Sequence, residues 1–251
     1  MITKSILRFL YDALALERSE RSRLTETQYQ DLKPADEYPV GSELWLAATE
    51  KYFGGMVTGV KRKTVSEKDP RTRDQLDQGG MIGGDRMFHH GYACHYARHL
   101  SRFLSRRHEP MTIAEVGILK GTGLALWSKL FPNARLIGLD IDLSHFTDNE
   151  EFLRSKGAFT GSSLELHHFD QFLDNRELLR TILNDSKITL MIDDGLHSLE
   201  TIMQTAHSVQ PFLSDAFVYF VEDNAEVSER LQAEFSDSRV FSYDLLTVIE
   251  H

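Results

Sequence analysis

Acidic side chains and a histidine follow two apolar runs in the second half of this 251-residue chain. Each run, at 188–192 and at 217–221, has the length and composition of a buried strand. Neighbouring parallel strands present their carboxyl ends at the same edge of a sheet, so we expect the side chains that follow them to converge. These side chains are Asp193, Asp194 and His197 after the first run, and Glu222 and Asp223 after the second.

Three of these carboxylates, from Asp194, Glu222 and Asp223, are predicted to share one small space. Unpaired carboxylates repel and raise one another's pKa, and a bound cation removes that penalty. Oxygen ligands favour Mg²⁺, Ca²⁺ or Mn²⁺ over zinc. The pattern therefore predicts a hard divalent cation, and simple capping of the following helices by strand-end acids is the alternative.

The histidine lies three residues after Asp194, on the turn into the next helix. Because a histidine titrates near neutral pH, His197 is a candidate general base that takes a proton from a substrate hydroxyl. The alternative is a helix-start histidine bonded to Asp193 or Asp194.

A glycine turn lies between two predicted strands earlier in the chain, and it contains Gly117, Gly121 and Gly123. Such a turn brings backbone N–H groups to a ligand at a helix N-terminus, and an acid at the tip of the second strand, Asp140, suits two ribose hydroxyls. The spacing does not match the G-x-G-x-x-G pattern of dinucleotide binders. The predicted βαβ unit has a strand at 112–116, a helix at 124–131 and a strand at 134–139.

The remaining pattern predicts a doubly wound, Rossmann-like α/β sheet, mostly parallel and with a closing antiparallel strand. A third strand at 164–169 ends at Asp170 and Gln171, and two strands at 239–243 and 245–249 close the domain. We place this domain at residues 85–251.

Residues 1–84 are predicted to form a helical N-terminal extension with a lid or loop region. Helices are expected within residues 1–20 and at 42–52, and the very polar segment 61–78 is a candidate mobile lid. Residues 79–86 contain four glycines in six positions, which suits close approach to a ligand or a hinge. A helix is predicted at 88–106, and His89 or His90 near its start are candidates to touch cofactor or substrate.

The net charge of −10 argues against a nucleic-acid backbone as partner, because phosphate binding needs clustered Lys and Arg. No apolar run approaches the ~18 residues of a membrane span. The single cysteine, Cys94, fits a reducing compartment, so we expect a cytoplasmic protein.

The motifs together resemble a known family. E-V-G-I-L-K-G-T-G from Glu115 and G-L-D-I-D around Asp140 resemble the first motifs of class I S-adenosylmethionine-dependent methyltransferases. With F-D-Q, I-D-D-G-L-H and Y-F-V-E-D-N in the same order, the chain resembles the metal-dependent sugar O-methyltransferases that tailor antibiotics, of the macrolide and enediyne deoxysugar type. The resemblance covers about residues 79–224.

This resemblance implies roles for particular positions. It implies that Mg²⁺ binds to Asp194, Glu222 and Asp223, that His197 is the base, and that the protein is a homo-oligomer. For S-adenosylmethionine it implies a turn that faces the amino-acid part, an acid on the ribose and an acid or amide at the adenine. The cofactor residues we assign are Glu115, Gly117, Lys120, Gly121, Asp140, Asp170, Gln171 and Asp193.

We therefore expect a Mg²⁺-dependent O-methyltransferase that acts on a sugar hydroxyl of a glycosylated natural product. Three alternatives stay open at this point. In the first, the acceptor is a catechol or other vicinal diol. In the second, the chain is a nucleotide-sugar or NAD-binding protein. In the third, it is a catalytically inactive binding module.

Overall fold

The computed structural model describes residues 24–55 and 83–251. The predicted helix within 1–20, the polar segment 61–78 and residues 79–82 of the glycine stretch lie outside these ranges. Within them, no helix is both long enough and apolar enough to cross a membrane.

Eight α-helices and seven strands make up the described part of the chain, with short 3-10 turns at Ala35–Glu37, Ser101–Arg106 and Gln210–Phe212. The helices are α1 (Glu26–Gln30), α2 (Glu43–Phe53), α3 (Ala93–Leu100), α4 (Thr122–Leu130), α5 (Ser144–Ser155), α6 (Arg176–Leu183), α7 (Leu199–Val209) and α8 (Ser228–Glu234). The strands are β1 (Thr112–Val116), β2 (Arg135–Asp140), β3 (Ser163–His168), β4 (Ile188–Asp193), β5 (Leu213–Val221), β6 (Arg239–Tyr243) and β7 (Leu246–Glu250).

The seven strands form one sheet in the order β3-β2-β1-β4-β5-β7-β6. The pairs among β1 to β5 are parallel, and β7 runs antiparallel to both of its neighbours. The strand order reverses between β1 and β4, and ligands of open α/β sheets bind beyond the carboxyl ends of the strands at such a point. The predicted fold class, a doubly wound Rossmann-like sheet with a closing antiparallel strand and a helical N-terminal region, is confirmed.

Alternate residues of the central strands face two separate apolar cores. On one face Ile113, Ile192 and Phe220 pack with residues of α2, α3, α4 and α5. On the other face Ala114 and Met191 pack with residues of α6, α7 and α8. Strands buried on both faces read as continuous apolar runs, which is why the sequence pattern located them well.

The turn after β1 packs directly on the end of β4. Gly117 has φ +80°, and a Cβ at that position would lie 2.0 Å from the carbonyl oxygen of Asp194. Backbone bonds tie the same region together, because Gly117 N donates to Leu139 O at 2.9 Å and Asp194 N donates to Val116 O at 2.9 Å. Backbone hydrogen bonds thus hold the tips of β1, β2 and β4 in contact.

The segment 85–92, which we call the arginine arm, leads into α3. The predicted helix at 88–106 is wrong at both ends, because α3 begins at Ala93 and a 3-10 turn replaces it from Ser101. Gly91 has φ +74°, a left-handed conformation that interrupts a helix. The arm instead folds on itself, with Tyr92 N donating to Arg86 O at 3.1 Å.

Helix α2 of the N-terminal region holds the arginine arm in place. Ser42 caps the helix by accepting a bond from Trp45 N, as expected for the predicted helix at 42–52. Near its other end Glu50 is only 2% exposed. Its Oε1 and Oε2 accept the N–H of Met87 at 3.0 and 3.1 Å. The domain boundary that we predicted between residues 84 and 85 stays a prediction.

The contact of Gly117 with β4 predicts that Gly117→Ala destabilises the protein strongly. The substitution adds a left-handed alanine, which costs ~1–2 kcal/mol, and a collision with backbone that cannot move aside. Gly157→Ala is the matched control, because Gly157 also has φ +80° but its Cβ would meet only the flexible end of Lys129, at 3.3 Å. Urea denaturation should show a clearly larger loss of unfolding free energy for Gly117→Ala. Equal losses would contradict the close packing of this turn.

The burial of Glu50 predicts a pH-dependent effect of Glu50→Gln. Burial raises the pKa of Glu50 to about 7, against the opposing pull of the Met87 N–H and of Arg86. A carboxyl with a raised folded-state pKa penalises the folded state progressively as the pH rises from its unfolded pKa of about 4.5 to about 7. Glu50→Gln should therefore have nearly the same unfolding free energy as the wild type near pH 5. At pH 8 its unfolding free energy should be higher, by about 3 kcal/mol. A difference that does not change between these pH values would contradict this account of Glu50.

Candidate active site

Strands β4 and β5 bring their acidic ends together, as the sequence pattern predicts. The two strands pair in parallel, with Asp193 opposite Val221. Glu222 N then donates to Asp193 O at 3.0 Å, so the two tips remain side by side beyond the sheet. Glu222 is 1% exposed, whereas the side chains of Asp194 and Asp223 keep 24% and 18% of their surface open to solvent.

The three carboxylates lie close together as we had predicted, but an arginine to which we had assigned no role lies among them. Arg86 Nε donates to Glu222 Oε1 at 2.5 Å, and Nη2 donates to Asp194 Oδ2 at 2.9 Å. The same Nη2 donates to Glu115 Oε1, on β1, at 2.8 Å. One guanidinium thus joins acids from the ends of three neighbouring strands.

Arg86 is itself enclosed and cannot move freely. It is 4% exposed, and its guanidinium carbon lies 5.8 Å from the ring centre of Tyr96 and 5.6 Å from that of Trp127. Both rings also bond to the acids, because Tyr96 OH donates to Glu222 and Trp127 Nε1 donates to Glu115 Oε2 at 2.7 Å. The sequence carried one signal of this role, a lone basic residue directly after Gly83, Gly84 and Asp85, to which we assigned no function.

The third acid of the predicted metal set is held by the other end of the arginine arm. Tyr92 OH donates to Asp223 Oδ1 at 2.5 Å, and His90 Nδ1 lies 3.1 Å from the same oxygen. His90 Nε2 faces Asp85 Oδ2 at 3.5 Å. The expectation that His89 or His90 touches the cofactor or the substrate stays a prediction. In the structure His90 contacts Asp85 and Asp223.

Two histidines beside Asp223 have opposite electrostatic surroundings. Burial alone would lower the pKa of His90, but Asp85 and Asp223 outweigh it and raise that pKa to about 9. For His197 burial prevails over the pull of Asp223 and Asp85, and the pKa falls below its ordinary value. His90 is therefore a cation at neutral pH, whereas His197 is a neutral imidazole that is able to accept a proton.

The positions of three side chains fit a divalent cation. Within the described parts of the chain, ligand atoms of Asp194, His197 and Asp223 lie within 4.8 Å of one another. His197 Nε2 is 3.8 Å from Asp223 Oδ2. Carboxylate oxygens are the ligands that Mg²⁺ and Mn²⁺ prefer. Glu222, the remaining predicted ligand, has its Oε1 engaged by Arg86 and Tyr96.

The charge balance also favours a further cation. Burial and nearby Glu222 raise the pKa of Asp194, and burial with nearby Asp223 raises that of Glu222, even though Arg86 opposes both shifts. Among the residues that the structure describes, the acids Glu115, Asp194, Glu222 and Asp223 are paired with two cations, Arg86 and His90. When all four acids are ionised, their negative charge exceeds that of the two cations, and a divalent ion would neutralise the excess.

Of the predicted cofactor residues, four lie around the turn after β1. Asp140 at the tip of β2 holds this turn, since its Oδ2 accepts Leu119 N at 3.0 Å. Gly121, at φ +77°, is the N-cap of α4, and Lys120 beside it is 5% exposed. Gly117 adjoins β4 as described above. These four residues thus lie at or beside the turn after β1, at the carboxyl edge of the sheet.

Three other predicted cofactor residues have protein partners. Glu115 is bonded to Arg86 and Trp127 as described above, and it is 2% exposed. Gln171 Nε2 donates to Asp193 Oδ1 at 2.9 Å, and its Oε1 accepts Leu196 N at 2.6 Å. Asp193 Oδ2 is 3.4 Å from Tyr219 OH, so its carboxylate faces away from Asp194 and does not join the cluster at the strand tips.

The last predicted cofactor residue, Asp170, follows β3 and accepts Phe172 N at 2.9 Å. Its contact with adenine stays a prediction, as do the cofactor roles of all the residues above.

Ser198 caps α7, because its Oγ accepts Thr201 N at 3.2 Å. This cap starts the helix just after His197 and so fixes the turn that carries it.

Comparison with known proteins gives structural likeness only. No protein-family model matches the chain, and no curated protein matches it. A solved structure of the MycE methyltransferase from the mycinamycin biosynthetic pathway, in complex with Mg and SAH, superposes with a TM-score of 0.50 at 19% identity. That match covers 65% of this chain and 50% of the other, so the chain spans about half the length of this relative.

Two further solved structures are more distant. A putative O-methyltransferase from Klebsiella pneumoniae has a TM-score of 0.44 at 13% identity, covering 60% of this chain and 77% of the other. M. capricolum TrmK in complex with S-adenosyl-homocysteine has a TM-score of 0.41 at 14% identity, covering 60% and 66%. At such identities the MycE likeness establishes the fold, and the chain has the Rossmann-like methyltransferase fold.

Proposed function

We propose that the chain is an S-adenosylmethionine-dependent O-methyltransferase that uses Mg²⁺ or another hard divalent cation. One observation carries the proposal. A neutral histidine, His197, stands beside Asp194 and Asp223 at the carboxyl ends of β4 and β5. The proposed base and the proposed cation-binding residues thus lie next to the glycine turn, which is where a nucleoside cofactor binds in this fold.

The acceptor we propose is a sugar hydroxyl of a glycosylated natural product. This part rests on the motifs around Asp194 and Asp223 and on the likeness to a methyltransferase of the mycinamycin pathway. The same proposal has four further parts. The chain belongs to antibiotic biosynthesis, acts on a deoxysugar, assembles as a homo-oligomer and resides in the cytoplasm.

The residues of the site have distinct tasks in this reaction. Asp194, Asp223 and Glu222 would hold the cation, which when bound would supply positive charge to stabilise the negative charge that develops on the acceptor. His197 takes the proton of the reacting hydroxyl at a ring nitrogen. The hydroxyl oxygen then forms a bond to the methyl carbon as the bond from that carbon to sulfur breaks, which leaves a methyl ether and S-adenosylhomocysteine.

Asp140 and the β1 turn would bind the cofactor. The Asp140 carboxylate accepts backbone N–H groups from Leu119 and Asp142, which fixes its orientation at the sheet edge. Ile141, directly after it, is 60% exposed and presents an apolar surface beside the proposed ribose position. The turn of Gly117 to Gly121 would face the amino-acid part of the cofactor.

The cofactor is tested by calorimetric titration of S-adenosylhomocysteine into EDTA-treated protein, with NAD as the competing ligand. We expect S-adenosylhomocysteine to bind and NAD not to bind. Asp140→Ala should weaken binding by about tenfold or more, because hydrogen bonds to a charged group contribute roughly 1.5–3 kcal/mol. Asp142→Ala removes the same charge from an exposed neighbouring position and should leave the affinity unchanged. Binding of NAD instead, or equal affinity in Asp140→Ala, would contradict this assignment.

The base is tested by His197→Ala. With Mg²⁺ and a panel of glycosides and catechols, turnover should fall by roughly two to four orders of magnitude, because general base catalysis contributes that much. Affinity for S-adenosylhomocysteine should not change. His207→Ala, which removes an exposed histidine on α7, is the control and should retain full turnover. Wild-type turnover in His197→Ala would exclude this residue as the base, and the glycosides and catechols that react would identify the acceptor class.

A further inference from the structure

We propose that Arg86 is a built-in counter-cation of the metal site that lowers its affinity for divalent ions. This inference rests on the metal site of the proposed function and assigns it a regulator within the chain. Arg86 and a divalent ion would share the same acids, and the arginine keeps these acids in place when no ion is bound.

The guanidinium of Arg86 is bonded directly to proposed metal ligands. Two of the three proposed metal carboxylates, Asp194 and Glu222, each accept a hydrogen bond from Arg86, at 2.9 and 2.5 Å. The third acid, Asp223, accepts its bond from Tyr92 of the same arm. The arginine arm therefore supplies a donor to every acid of the site, and Arg86 supplies its permanent positive charge.

Arg86 is also enclosed. This matters because a mobile cation would move away from the acids when a metal ion bound, whereas an enclosed one stays. Its guanidinium is packed near Tyr96 and Trp127 and is also bonded to Glu115, which is not a proposed metal ligand. The next residue, Met87, is anchored through its backbone N–H to Glu50 of α2. The positive charge of Arg86 consequently stays beside the acids after a metal ion binds.

Electrostatics then gives the direction of the effect. A fixed cation a few ångströms from a divalent ion repels it, and the repulsion is strong where water is excluded. The arginine also offsets the mutual repulsion of the acids, so that the metal-free site is stable. Removal of the charge should tighten metal binding and at the same time destabilise the metal-free protein, a pair of effects that loss of packing alone would not produce.

The experiment compares wild type, Arg86→Gln and Arg86→Lys, with Mn²⁺ alone as the probe. Calorimetric titration of EDTA-treated, dialysed protein should give a Kd at least about tenfold lower for Arg86→Gln than for wild type. Thermal melting should show a lower Tm for Arg86→Gln without metal and a larger rise in Tm on addition of Mn²⁺. Arg86→Lys keeps the charge and should bind Mn²⁺ nearly as weakly as wild type.

Arg102→Gln is the matched control, because Arg102 lies near Glu250, outside the cluster, and its loss should leave the Mn²⁺ affinity unchanged. If Arg86→Gln unfolds in EDTA, refolding on addition of Mn²⁺ is the expected result, and failure to refold overturns the proposal. Equal or weaker Mn²⁺ binding by Arg86→Gln, with binding by wild type intact, overturns the role of Arg86 alone. Absence of Mn²⁺ binding by both proteins overturns the metal site itself and this inference with it.

Discussion

The balance of buried charge around Arg86 is the constraint on which the site depends. Acids from the ends of β1, β4 and β5 converge on one guanidinium that is almost fully enclosed. Removing charges from water is costly, and the cost is recovered only when geometry and hydrogen bonding are good. The position of Arg86 is therefore as important to the shape of the strand tips as the backbone contacts that bring those tips together.

This constraint extends into the N-terminal region. Glu50 of α2 anchors the arginine arm, and the arm delivers Arg86, His90 and Tyr92 to the acids of the sheet. Helix α2, which the sequence pattern places in the N-terminal extension, is thus linked to the acids of the site through Glu50 and the arginine arm. Changes in α2 would reach the site through Glu50 and Met87.

The two histidines at Asp223 illustrate how position decides chemistry. They have the same side chain and share one carboxylate, yet the pKa of His90 is raised and that of His197 is lowered. His90 lies between two acids, whereas burial dominates for His197. Only the second is neutral at physiological pH, so only the second suits the role of a base in the proposed reaction.

The sequence by itself determined the fold class, the bounds of β1 and the pairing of β4 with β5, because continuous apolar runs ending in glycines or acids mark buried parallel strands. It also predicted that Asp194, Glu222 and Asp223 would lie close together. Only the tertiary structure decided what neutralises them, because Arg86 is 108 residues from Asp194 and 136 from Glu222. It also turned Asp193 away from its neighbour and delayed the start of the predicted helix until after Gly91. No periodicity in a chain encodes which distant side chain fills a buried space, since that depends on how separate elements pack.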